Sequence, residues 1–112
     1  MNVFVPDQGD IVWLEFDPQS GHEQKGRRPA LVLSPKSYNG KVGLMLCCPI
    51  TSKTKGYPFE VEVETKEVSG VVLSDQVKSL DWQARKASHA GDVLPEVMNQ
   101  VRKKLGVLVG FE

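Results

Sequence analysis

The chain has 112 residues, 40% of them hydrophobic and 25% charged, with a formal net charge of zero. That is ordinary globular composition, which excludes a disordered or low-complexity chain, and at this length one domain over residues 1–112 is expected. The start, Met1 to Asp7, has no basic region leading into an apolar core, and the longest apolar run, Leu44 to Cys48, is far too short to cross a bilayer. Neither a secretory signal nor a membrane anchor is expected, and the chain reads as cytoplasmic.

Short strand-like runs come first. Asp10–Phe16 is largely apolar and stops at Asp17-Pro18, and Ala30–Leu33 follows Pro29 and closes at Ser34-Pro35. Leu44–Ile50 is a third strand, with Pro49 marking a bulge or an edge. Phe59–Glu64 alternates apolar and acidic residues, a half-buried strand with a charged outer face. Val71–Ser74 and Leu80–Ala87 are expected fifth and sixth strands. From Pro95 the period changes: Val97, Met98, Val101, Leu105, Leu108 and Val109 fall at helical spacing, Pro95 suits a first turn, and Glu96 lies near the positive end of the dipole. Arg102, Lys103 and Lys104 come later, where cations are favoured. Strands at short intervals followed by one helix predict a mainly β fold, a small, strongly curved barrel capped by a C-terminal helix. Val107, Leu108, Val109 and Phe111 give that end more apolar surface than one helix face needs, which fits either core packing or self-association.

Charge is segregated along the chain. No acidic residue occurs between Glu23 and Glu60, yet Lys25, Arg27, Arg28, Lys36, Lys41, Lys53 and Lys55 lie there, seven of the fourteen basic residues. A local positive field in a neutral protein is the footprint of a phosphodiester site, if these groups meet in space. Two connections within or beside this window are rich in groups that suit phosphate oxygens: Asp17–Arg28, and the hydroxyl- and lysine-bearing Thr51–Pro58. Adjacent Cys47 and Cys48 point to opposite faces of a strand, which makes a disulfide between them awkward and two small buried thiols the simpler expectation. His22 and His89 are distant in sequence and there is no Cys-x-x-Cys or His-x-x-x-His spacing, so no cofactor and no metal are expected.

Several blocks in order then carry a resemblance. Pro6-Asp7-x-Gly9-Asp10-Ile11-Val12-Trp13, Phe16-Asp17-Pro18 and Gly21-His22-Glu23-Gln24-x-Gly26-x-Arg28-Pro29-Ala30 are followed by Val32-Leu33-Ser34-Pro35 and Tyr38-Asn39. Pro49-Ile50-Thr51, Lys55-Gly56-Tyr57-Pro58-Phe59-Glu60-Val61, Gly70-Val71, Asp75-Gln76-Val77-Lys78-Ser79 and Trp82-x-Ala84-Arg85 continue the series. Together they resemble the MazF/PemK family of toxins. The resemblance implies an SH3-like barrel, a homodimer, metal-free endoribonuclease activity on single-stranded RNA, chiefly messenger RNA, and silencing by a cognate acidic antitoxin whose extended tail occupies the RNA groove. Carried onto this chain it implies a catalytic pair, Arg28 and Thr51, with Glu23 in the same loop. Arg27, Lys53, Lys55, Gln76, Lys78 and Arg85, with Phe16 and Asn39 from the matching blocks, are implied to hold RNA. The same architecture serves CcdB-type toxins, which bind DNA gyrase and catalyse nothing, but this chain lacks the Trp-Gly-Ile ending expected of them.

The side chains suit that chemistry. RNA brings its own nucleophile, the 2′-hydroxyl, so the protein must orient it, accept its proton and stabilise charge on the phosphoryl oxygens. A planar guanidinium at Arg28 matches two phosphate oxygens at once, and a hydroxyl at Thr51 adds a donor. Arginine keeps its proton, so the base is sought elsewhere: Glu23 first, then His22.

Overall fold

The structure, a computed structural model, describes residues 4–16 and 26–110. Seven strands and two helices follow in chain order: β1 (Asp10–Glu15), β2 (Arg27–Val32), α1 (Lys36–Val42), β3 (Leu44–Thr51), β4 (Glu60–Glu64), β5 (Ser69–Leu73), β6 (Lys78–Asp81), β7 (Ser88–Asp92) and α2 (Pro95–Val109). The strands form one curled antiparallel sheet in the order β4-β5-β3-β2-β1-β7, with β6 paired to β3 beside this path. The mainly β architecture with a C-terminal helix is therefore as expected.

Strand alternation gives the sheet two apolar faces. Ile11, Leu31, Cys48, Ile50, Val61, Val63 and Val72 point into a core closed by Met98 and Val101 of α2. Val12, Leu14, Ala30, Val32, Met45 and Cys47 point the other way and are covered by Trp82, Phe4 and Val5. The adjacent cysteines are thus free, buried and on opposite faces, and burial pushes both thiols up to about 12. β4 keeps the period of two, with Val61 and Val63 buried and Glu62 and Glu64 exposed.

The structure adds one element and changes two sequence expectations. The segment after Ser34-Pro35, to which the sequence reading assigned no element, is a short helix, α1. Apart from its two lysines its residues are weak helix formers, but Gly43 closes it in the left-handed region (φ 84°), donating its N–H to the Asn39 carbonyl. The expected strand Leu80–Ala87 is instead the end of β6 followed by a tight turn that leads to β7. Within the turn Asp81 accepts hydrogen bonds from the Ala84 and Arg85 amides, and Lys86 takes a positive φ of 57°. In α2, Arg102, Lys103 and Lys104 lie mid-helix, because the helix runs on to Val109, and its last turn holds no cation.

Pro49 lies inside the sheet, opposite Ala30 of β2. On its other edge β3 pairs with β6 through Cys47 and with β5 from Ile50, so Pro49 falls in the gap where the partner changes and the missing N–H breaks no ladder. Among the described residues no helix is long and apolar enough to cross a membrane.

Candidate active site

Arg28 and Thr51 come from separate strands that the sheet brings together. β2 and β3 are registered as Ala30↔Pro49, Leu31↔Cys48 and Val32↔Cys47. Two more steps of the same antiparallel register set residue 28 across from residue 51. Alternation agrees, since Arg28 follows the parity of Ala30 and Val32, and Thr51 that of Met45 and Cys47, which share one sheet face. Both line a groove of about 330 Å³, with Trp13, Arg27, Lys53 and Glu67 among its other walls.

The two arginines have different duties. Arg27 donates from one guanidinium nitrogen to the Trp13 carbonyl (3.2 Å), the Lys86 carbonyl (3.0 Å) and the Ser88 hydroxyl (3.0 Å). It cross-links β1, β2 and the start of β7. Arg28, its neighbour on a pleated strand, is exposed in the groove.

Thr51 is held from two directions. Its Oγ1 accepts the Lys53 amide N–H (3.1 Å), which leaves the hydroxyl proton for another acceptor and turns Lys53 back over the groove. Behind it, β5 approaches so closely that a Cβ on Gly70 would lie 2.9 Å from the Thr51 carbonyl carbon and 3.2 Å from the Ser52 Cα. Only glycine permits this contact.

The Thr51–Pro58 connection is ordered by one carboxylate. Glu60 accepts hydrogen bonds from the Lys55 amide (2.8 Å), the Thr54 hydroxyl (2.9 Å) and the Gly56 amide (3.0 Å). The Lys55 amide above all holds its pKa below the usual glutamate value. Tyr57 donates to Asp75 (2.8 Å), which raises the phenol's pKa and ties this connection to the turn bearing Gln76. Gln76 and Lys78 are exposed. Arg85 donates to the Glu15 (3.0 Å) and Phe16 (2.6 Å) carbonyls, so it anchors the end of β1. Phe16 itself packs against the face that carries Trp82.

Asn39 requires a correction. It is fully buried, donates to the Pro6 (2.8 Å) and Ser34 (3.0 Å) carbonyls and accepts from the Ser34 hydroxyl. It is structural and has no surface to offer RNA. The basic window is also divided in space. Arg27, Arg28 and Lys53 share the groove, whereas Lys36 and Lys41 lie on α1. Glu67, an acid from beyond the window, sits among the groove cations. Glu23, His22 and Lys25 lie outside the described residues.

Sequence reasoning passed over Trp13, Glu67 and Gly70 as site residues. Trp13 and Gly70 stood in the matching blocks as unexplained letters, and Glu67 belonged to a run of acids that reads as solvated surface. Spacing along the chain also carries no sign of the Asp10–His89–Asp92 cluster. There the His89 Nε2 lies 3.1 Å from Asp92 and 3.7 Å from Asp10, joining β7 to β1. Burial raises the Asp10 pKa, and the hydrogen bond to His89 lowers that of Asp92.

A curled β half-barrel with one C-terminal helix, bearing an arginine and a threonine on facing strand ends beside a basic loop, defines a small class of barrel toxins. The chain belongs to the PemK-like, MazF-like toxin family of type II toxin–antitoxin systems, whose family model matches residues 7–109. It is similar to the endoribonuclease toxin MazF of Escherichia coli (strain K12), 52% identical over 107 residues that make up 96% of each chain. Among solved structures, the MazE–MazF complex from Deinococcus radiodurans (Form-II) aligns with a TM-score of 0.88 at 50% identity over 98% of this chain and 100% of that one. MazF from the same organism (Form-I) aligns with a TM-score of 0.87 at 56% identity over 97% and 100%.

Proposed function

We propose that this protein is the toxin of a toxin–antitoxin pair, a sequence-specific, metal-independent endoribonuclease that cuts single-stranded messenger RNA in the cytoplasm and arrests translation and growth. One observation carries the reading: Arg28 and Thr51 line the same groove, at the neighbouring ends of β2 and β3. The related proteins named as endoribonuclease toxins support it.

In the mechanism, the substrate's 2′-hydroxyl attacks the adjacent phosphorus and the 5′-oxygen leaves, taking up a proton from solvent, to give a 2′,3′-cyclic phosphate and a 5′-hydroxyl. Arg28 holds two phosphoryl oxygens and offsets the charge that grows on them. Thr51, its oxygen already accepting from the Lys53 amide, donates its proton to the same oxygens. Glu23 accepts the 2′-hydroxyl proton, a role assigned on its chemistry and its place in the sequence shortly before Arg28. Lys53, Lys55, Gln76 and Lys78 hold the flanking chain, while Arg27 and Arg85 fix the backbone on which those contacts depend.

The working form is a homodimer. Val107, Leu108 and Val109 at the end of α2 are 67%, 50% and 58% exposed, a contiguous apolar surface suited to a second copy. An antitoxin is a partner, as in the complexes of the Deinococcus relative. Its acidic extended tail competes with RNA for the groove.

The test is a long single-stranded RNA incubated with purified protein in chelator. Wild-type protein should produce discrete fragments ending in 5′-hydroxyls. Arg28→Ala should abolish cleavage with the melting temperature unchanged, and Thr51→Ala should lose about 10²–10³ in rate. Intact RNA with wild-type protein at every concentration overturns the reading.

A further inference from the structure

Beside the groove of Arg28 and Thr51 lies a second hollow of about 640 Å³, lined by Thr65, Lys66 and His89 and sharing Trp13 and Glu67 with the first. We propose that this hollow is a nucleobase subsite, in which the base flanking the scissile phosphate stacks on Trp13 and presents its N–H edge to Glu67. The inference rests on the ribonuclease reading above and says what the Trp13 side of the groove recognises.

Trp13 has the rigidity a stacking platform needs. It sits within β1 with Pro29 of β2 and Ser88 of β7 as its cross-strand partners. Part of the indole packs on the inner core, and its carbonyl is bound by Arg27, which also grips Lys86 and Ser88. Unpaired bases of single-stranded RNA stack on such surfaces, and a fixed ring loses little entropy in receiving them.

Glu67 is presented with similar rigidity. The turn between β4 and β5 is stapled by Thr65, whose hydroxyl oxygen accepts the Glu67 (3.2 Å) and Val68 (3.0 Å) amides and whose own amide donates to the Val68 carbonyl (2.7 Å). Buried Val68 pins the turn to the core. A carboxylate in a groove for phosphate repels its ligand unless a donor meets it; RNA offers base N–H groups and ribose 2′-hydroxyls, and a base stacked on Trp13 brings its N–H edge to this hollow. Guanine offers two adjacent donors, and adenine and cytosine an amino group. Uracil's single N–H is flanked by two carbonyl oxygens that the carboxylate repels, so this subsite disfavours uracil.

The test uses the full-length protein on a randomised single-stranded RNA pool, with cut ends sequenced and kcat/KM measured. Trp13→Phe keeps a flat ring and should stay within a few-fold of wild type. Trp13→Leu keeps bulk without the π-face and should lose about 5- to 150-fold in kcat/KM. Glu67→Gln, at an exposed position, should fold normally and admit uracil beside the cut. A titration of wild-type protein with RNA made non-cleavable by a 2′-deoxy group should quench indole fluorescence through Trp13, because Trp82 is buried. Cleavage lost in Arg28→Ala but unchanged in rate and base frequencies in Trp13→Leu and Glu67→Gln overturns the subsite alone, as does saturating RNA without quenching. No cleavage by wild-type protein overturns the ribonuclease reading instead.

Discussion

Asn39 and Arg28 both stand in motifs shared with the toxin family, and only their surroundings separate a buried structural residue from one exposed in the groove. The Asn39 amide satisfies two backbone carbonyls and the Ser34 hydroxyl inside the protein, where unpaired polar groups are costly. Asn39→Ala should therefore destabilise the fold by about 2–3 kcal/mol in urea unfolding, while cleavage per folded molecule stays at the wild-type value. Undiminished stability with lost cleavage would restore Asn39 to the RNA site. Arg27 and Arg28 both line the groove but differ in their ties: one guanidinium nitrogen of Arg27 bonds to the Trp13 and Lys86 carbonyls, whereas Arg28 is exposed. Residue order could nominate the pair but not assign the two duties, because those depend on carbonyls 14 and 59 positions away along the chain, in β1 and before β7.

At the scale of elements, the approach of β5 to the end of β3 positions Thr51. Ile50↔Val72 and Thr51↔Val71 are the last rungs of that ladder, and Gly70 then passes against the Thr51 backbone with no room for a side chain. Gly70→Ala should push Thr51 away from Arg28. A displacement near 1 Å is expected to cost about 10²-fold in kcat, read against a melting curve that still shows one cooperative transition. Wild-type kcat in that variant would mean that Thr51 need not be held where it is. The strands with strong β-branched or apolar runs were legible from pattern alone, as was the helix from Pro95. Short α1 was not, since its weak helix formers are held by tertiary contacts of Asn39. Neither was the break after Asp81, where side-chain and backbone bonds to one aspartate make a turn inside an otherwise strand-like stretch.

For the whole molecule, a net charge of zero conceals a local field. Only part of the basic window reaches the groove, and Glu67 tempers it. RNA binding should weaken with salt by roughly 0.7 log units per log unit for each phosphate neutralised, and Lys53→Gln should reduce that slope by about one such increment. The slope is measured by titrating a non-cleavable RNA at several salt concentrations. An unchanged slope in Lys53→Gln would remove that lysine from the contact surface.

By itself the sequence determined the fold class, the strands of the core, the opposed cysteines and the blocks in which Arg28 and Thr51 stand. These follow from period, composition and local chemistry, which are properties of neighbouring residues. Tertiary structure alone decided which of those letters meet: the groove that Arg28 and Thr51 share, the bonds that tie Arg27 to β1 and enclose Asn39, and the joining of Trp13 and Glu67 to the groove. Each depends on pairings between residues far apart in the chain, and sheet register is set by the packing of a whole face rather than by any local run.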